Sequence, residues 1–199
     1  ARLLWEDKSS KEPNTILPPA PGYTAVLAGS CSGKTNRQLK IFEKEYPLYR
    51  VDLLEASGNE QVVDDIMDWS SSRLTDSPIG IATTIDNAEL ARIQNELGRD
   101  VAAKLAENIL GQITSRLFDL GVRKFVVAGG ETSGEVIAAL GLDKLQIAAF
   151  DYLGGGYCHA GGADPVSLVT KAGGQGEEDF FGQAIERLHI ADGRAADRI

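Results

Sequence analysis

The run from Tyr23 to Thr35, YTAVLAGSCSGKT, has residue types and an order suited to holding an anion. A short apolar run ends in a loop of small residues, and a helical pattern follows at once. Amide groups at a helix start lack intrahelical partners, and the helix dipole favours negative charge there. Small residues let a phosphate come close to the backbone. A second corner of the same design runs through Val126-Val127-Ala128-Gly129-Gly130-Glu131-Thr132-Ser133-Gly134. A third glycine-rich loop is Lys171-Ala172-Gly173-Gly174-Gln175-Gly176, followed by Glu177-Glu178-Asp179-Phe180-Phe181. Three such loops in one domain point to a nucleotide.

Each loop has more than one reading. In the second, Gly129 and Gly130 permit a tight turn and close ligand approach, or form a plain strand-to-helix turn. Thr132 or Ser133 is expected to cap the helix while offering a hydroxyl. Glu131 either orients a metal-bound water or only favours the helix start by its charge. In the third, Gly174 and Gly176 would let a base or ribose lie against backbone, and the two aromatics should pack the next helix on the sheet. In the first, Ala28 to Thr35 satisfies a relaxed P-loop pattern, with Ala where the first Gly usually stands. On that reading Lys34 reaches the terminal phosphates and Thr35 binds magnesium. A P-loop enzyme also needs an acidic residue closing a second strand, for which Asp52 in YRVDLL is the candidate. The plainer alternative for Lys34 is a solvated lysine opening a helix.

These loops need a frame. Apolar runs at Tyr23–Ala28, Leu48–Leu53, Pro78–Thr83, Lys124–Ala128, Leu145–Ala148 and Val166–Thr170 read as strands. Helical patterns fall between and after them, at Thr35–Tyr46, Glu60–Arg73, Asn87–Leu120 (one helix or two), Ser133–Leu140 and Glu178–Leu188. Alternating strands and helices predict an α/β fold, a mostly parallel sheet with helices on both faces. Ligands in such sheets bind beyond the carboxyl ends of the strands, where these loops lie. Lys8 to Pro21 carries charges, Ser, Asn and four prolines without helical or strand period. It reads as a linker or lead-in, so residues 1–21 are set apart from a domain at 22–199. Ala1 is not a methionine, and a fragment or processed product is expected.

With 29 acidic and 20 basic residues the chain has a net charge of −9, which argues against nucleic acid or an anionic membrane as partner. Cys31 and Cys158 are the only cysteines, and no signal peptide or apolar span precedes or interrupts the domain. A cytoplasmic protein with reduced thiols is the simplest expectation. Asp64-Asp65 reads as a solvated helix face, His189 as a favourable charge late in the last helix or a surface residue, and His159 as the histidine in a loop that could touch ligand or metal.

The combination of motifs resembles the C-terminal, nucleotide-binding domain of the four-carbon acid sugar kinases. The likeness rests on GSCS followed by Thr35, Arg37 and Gln38, on GGETSG between strand and helix, and on KAGGQGEEDFF, which is similar to the family's KSGNFG pattern with acidic and aromatic residues after it. It covers roughly Tyr23 to Leu188. The resemblance implies a kinase that uses ATP and Mg2+ to phosphorylate the terminal hydroxyl of a threonate-like or erythronate-like acid. It implies ATP contacts at Ser30, at Gly129, Gly130, Glu131, Thr132 and Ser133, and at Gly174 and Gly176. It leaves Lys34 and Thr35 as candidate phosphate contacts, assigns no metal-ligating residue, and leaves a homodimer open. It also implies a preceding substrate domain, absent here, that holds the small sugar acid and the catalytic groups. The glycine-rich stretch Phe150–Gly162 departs from the family's proline-containing loop, which bears on substrate identity. A non-catalytic nucleotide-binding module is the further alternative. Were the isolated chain itself active, Glu131, Asp151 and His159 would be the residues to test.

Overall fold

The computed structural model describes residues 17–84, 86–148 and 155–196. Asp151 and most of the lead-in at 1–21 lie outside them. In chain order the elements are β1 (Tyr23–Ala28), α1 (Gly33–Phe42), β2 (Leu48–Arg50), α2 (Leu53–Ala56), α3 (Val62–Ser71), β3 (Ile79–Ala82), α4 (Asn87–Leu97), α5 (Arg99–Asp119), β4 (Val122–Ala128), α6 (Gly130–Ala139), β5 (Gln146–Ile147), β6 (Gly156–Ala160), β7 (Val166–Lys171) and α7 (Phe180–Ala196). The strands form one sheet in the order β2-β3-β1-β4-β7-β6-β5. Pairing is parallel from β2 through β7, and antiparallel from β7 to β6 and from β6 to β5.

The continuous apolar runs YTAVLA and VRKFVVA fit strands covered on both faces. Ala25 and Leu27 of β1, with Phe125 and Val127 of β4, face a core shared with α3 and α5. Val26 and Ala28, with Val126 and Ala128, face a second core built from Leu39 and Phe42 of α1 and Phe180, Phe181 and Leu188 of α7. The expected α/β fold with helices on both faces is therefore observed.

Local chemistry sets several boundaries. The predicted strand at 48–53 stops at Arg50, because the Asp52 carboxylate accepts from Leu54 N at 2.8 Å and Glu55 N at 3.2 Å and starts α2. Asp52 is thus a helix cap, not the end of a second buried strand. The pattern at 87–120 is two helices, divided at Gly98, whose φ of +86° L side chains rarely adopt. Asp64 is exposed and pairs with Arg116 of α5, as a solvated face would. Part of the stretch read as a glycine-rich loop, residues 156–160, is strand β6. His159 lies on it, buried, with Nδ1 2.9 Å from Ser167 Oγ across the ladder. Burial lowers its pKa and favours the neutral ring. It is a sheet residue, not a loop ligand. His189 sits within α7 rather than at its end, with Nε2 2.8 Å from Thr24 Oγ1.

At the opposite end of the sheet from the glycine loops, buried Lys124 ties three segments together. Its Nζ donates to Ala20 O at 2.9 Å and Gly22 O at 2.7 Å and pairs with Asp192 Oδ2 of α7 at 2.5 Å. Asp192 Oδ1 accepts from Ala20 N at 2.9 Å. Lys124→Met leaves these acceptors short of a donor. It is expected to cost about 2–3 kcal/mol. Thermal unfolding should show a midpoint lower by roughly 5–10 °C, and a midpoint within about 1 °C of wild type would refute this role.

Candidate nucleotide site

Parallel register sets the three loops at one level. Ala28 pairs with Ala128, and Ala128 with Lys171, so β1, β4 and β7 end in one row. The loops then bond across the row. Gly29 N and Ser30 N donate to Ala128 O at 3.1 and 3.2 Å, and Gly129 N donates to Lys171 O at 2.9 Å. β1 has β3 on one side and β4 on the other, so the strand order reverses there and opens a crevice.

Close packing explains Gly29 and Gly129 in the first two loops. Thr132, only 6% exposed, wedges between them. A Cβ on Gly29 would overlap its Oγ1, and one on Gly129 would lie 2.7 Å from the same atom and 3.3 Å from Ser30 N. Gly129 also has φ +132°. α6 therefore begins at Gly130 and has no side-chain cap. The expected capping by Thr132 or Ser133 does not occur: Thr132 is the wedge, and Ser133 Oγ donates to Gly129 O at 2.6 Å. An uncapped helix start retains its dipole and amides for an anion.

The third loop is clasped to the first. Ser32 caps α1 by accepting from Thr35 N at 3.0 Å, and its hydroxyl donates to Gly173 O at 2.5 Å. Thr35, fully buried, donates to the same carbonyl at 3.0 Å. Gln38 Nε2 donates to Gln175 O at 3.1 Å and Glu177 O at 2.6 Å. A Cβ on Gly173 would overlap Ser30 Oγ. Thr35 joins loops here, and its hydroxyl is committed to the protein rather than offered to magnesium. Behind it lies Lys171, with Nζ 3.1 Å from Thr35 Oγ1. Burial, with Lys34 nearby, pushes its pKa down to about 8.

A cavity of about 370 Å³ opens at this edge, a size within the usual range for small-molecule sites. Ser30, Gly129, Gly130, Glu131 and Thr132, five of the residues that the resemblance puts forward, come together on its wall. Ser133, Gly174, Gly176, Lys34 and Thr35 are not on that wall. Gly176, at φ +79°, lies against the Phe180 ring instead. The sequence reading missed Gly173 and Cys31 and the opposite wall, where Leu90 of α4 and Ala102, Ala106 and Leu110 of α5 give apolar surface beside Gln94 and Arg99. The small residues at helical spacing on α5 were the available signal. Glu107 and Glu131 supply carboxylates to the cavity. Magnesium binds through one or two carboxylates plus ligand phosphates, so this donor set fits a magnesium–nucleotide complex better than a metal held by protein alone. Among the described residues no group of three or more His, Cys, Asp or Glu could hold a metal ion. A larger groove of about 790 Å³ between α1 and α7 carries none of the three glycine loops. No helix among the described residues is long and apolar enough to cross a membrane.

Comparison with known proteins bears on the family of the chain. Residues 25–181 match the family model for a nucleotide-binding C-terminal domain. A 3-oxo-tetronate kinase of Burkholderia multivorans is 41% identical over 172 residues, covering 86% of this chain and 40% of that protein. Its counterpart in Pseudomonas fluorescens is 40% identical over 173 residues, with 86% and 40% covered. A solved Haemophilus influenzae protein of the DUF1537 family superposes with a TM-score of 0.80 at 31% identity, covering 86% of this chain and 42% of that one. The chain spans about 40% of the length of the kinases it matches. It belongs to the family of nucleotide-binding C-terminal domains.

Proposed function

We propose that this chain is the ATP-binding half of a kinase that phosphorylates the terminal hydroxyl of a four-carbon sugar acid. The observation that carries the reading is the row of three glycine loops around one cavity, with an uncapped helix start at its wall. Loop amides and the α6 terminus would receive phosphate oxygens, and Ser30 would add a hydroxyl. The apolar wall from α4 and α5 suits a base. Mg2+, carried with the phosphates and met by Glu131, would neutralise charge that builds during transfer. The protein's own part is positioning and water exclusion. The sugar acid and the base that takes its hydroxyl proton are assigned to a preceding N-terminal domain, consistent with relatives more than twice as long as the matched region. The relatives' name puts 3-oxo-tetronate first among the substrates to test, beside threonate and erythronate. A cytoplasmic setting fits ATP as the phosphoryl donor.

Mg-ATP is expected to bind this chain weakly, with a Kd on the order of 0.1–1 mM, since half of the cleft belongs to the other domain. Titration calorimetry checks it, and absence of heat or thermal shift at millimolar ATP would remove the assignment. Two substitutions separate this reading from a P-loop. Lys34→Ala should weaken binding about threefold to tenfold, or 0.7–1.4 kcal/mol. Gly130→Val should weaken it more while leaving the melting temperature intact, because a Cβ at Gly130 meets no atom within 4 Å. The opposite ranking would favour the P-loop. Finally, ADP release with a panel of four-carbon acids should be at background for this chain and acid-dependent for a longer chain that includes the upstream domain. Turnover by the short chain would place the catalytic groups here, and acid-independent binding alone in both would leave a non-catalytic module.

A further inference from the structure

Two lysines of the described fold are almost wholly buried, Lys124 at 2% exposure and Lys171 at 3%. They are treated differently. Lys124, at the start of β4, has the Asp192 carboxylate as counter-charge. Lys171, at the end of β7, has none among the described residues. Its Nζ lies 3.1 Å from Thr35 Oγ1, 3.2 Å from Ala172 O and 3.3 Å from Gly173 O, with the Phe180 and Phe181 ring centres 5.8 and 6.0 Å away. Hydroxyl, carbonyls and ring faces solvate a cation only in part, and a buried charge without its counter-ion is costly.

Nor is this cation needed to hold the loops. Ser32 and Thr35 hydroxyls already donate to Gly173 O, and Gln38 holds Gln175 O and Glu177 O. The charge is surplus to the clasp. It stands behind Gly173, which lines the cavity beside Ser30 and the α6 start. Given the nucleotide reading above, we infer that Lys171 is a positioning residue whose buried ammonium serves as internal counter-charge for the nucleotide phosphates, acting through the Ser30–Gly173 wall.

The charged and titratable groups around it are consistent with this. On α1 the nearby charge is Lys34, of like sign, which lowers its proton affinity. From α7 the rings of Phe180 and Phe181 face it. The carboxylates of Glu177, Glu178 and Asp179 before α7 are exposed and form no ion pair with it among the described residues. An arriving phosphate would be its anion. With a free pKa of about 8, the group is protonated below that value and loses its proton above it. A bound anion raises the pKa, so binding near pH 8 takes up a proton, and affinity falls as pH rises through 8.

Titration calorimetry with Mg-ATP in buffers of different ionisation enthalpy tests this. Wild type should take up roughly 0.3–0.5 proton at pH 8 and near zero at pH 6.5, with affinity about 3–10-fold weaker at pH 9 than at pH 6.5. Lys171→Met should abolish both effects and lower affinity about tenfold at pH 6.5. Its melting temperature should be at or above wild type, since a buried charge without a carboxylate is replaced by an apolar chain of similar length. Lys171→Arg should restore affinity above that of Lys171→Met and show no pH dependence over this range. A Cys31→Ser control should keep the proton uptake. Binding without proton uptake in wild type, proton uptake that persists in Lys171→Met, or a melting temperature that falls as in Lys124→Met would overturn the inference while leaving the nucleotide reading intact. Absence of any binding heat would overturn both.

Discussion

The site depends on three parallel strands ending level. Ala28, Ala128 and Lys171 stand side by side. Adjacent strands are about 4.8 Å apart, so three loops leave the sheet within a span a nucleotide's phosphates can cover. Backbone chemistry then fixes their directions. The terminal carbonyls of β4 and β7 need donors, and the amides of Gly29, Ser30 and Gly129 supply them. The first and second loops are therefore anchored on the neighbouring strand before any side chain is considered, while the third is held to the first by the side chains of Ser32, Thr35 and Gln38. A one-residue slip of β1 against β4 would break this pattern and turn Ala28 toward the wrong core.

Loops drawn so close leave little room for side chains, and that limit explains the small residues. Thr132 fills the space that Cβ atoms on Gly29 and Gly129 would need, and Ser30 fills the space at Gly173. The contacts are mutual: the glycines admit the hydroxyl side chains, and those side chains keep the glycines from relaxing into the cavity. Gly130, on the cavity wall, differs: open space lies where a Cβ would point, as it does at Gly134 and Gly174 away from that wall. Packing gives no reason for a glycine at Gly130, whereas the close ligand approach proposed above would.

Much of this was legible in the sequence, and the parts that were not share a cause. YTAVLA and KFVVA read as buried strands because covered parallel strands are apolar throughout, and the glycine loops followed from their positions. The start of α6 was misread because capping preference is local, while the role of Thr132 is set by Gly29, far away in sequence. β6 was missed because its flanking glycines resemble a loop, and only the ladder to β7, including His159 opposite Ser167, makes it a strand. The α5 wall escaped because Ala102 and Ala106 are ordinary helix formers. Their smallness acquires meaning only when the helix lies across the cavity.

On net charge alone, a chain with nine excess negative charges is poorly suited to a polyanionic ligand. The range of each interaction resolves this. At physiological salt the screening length is about 8 Å, so exposed carboxylates elsewhere act weakly at the cavity. Charges and dipoles within or behind the cavity wall are screened much less. Those favourable to phosphate are loop amides, the uncapped start of α6, Arg99 on the facing helix and, on the inference above, the buried ammonium of Lys171; Glu107 and Glu131 are the two carboxylates they must outweigh or meet through a divalent cation. The overall negative field meanwhile opposes adsorption of nucleic acid and other long polyanions, which need many contacts spread over a surface. A compact nucleotide that fits inside the cavity can use the local positive field; a long polyanion must also cross the negative surface around it.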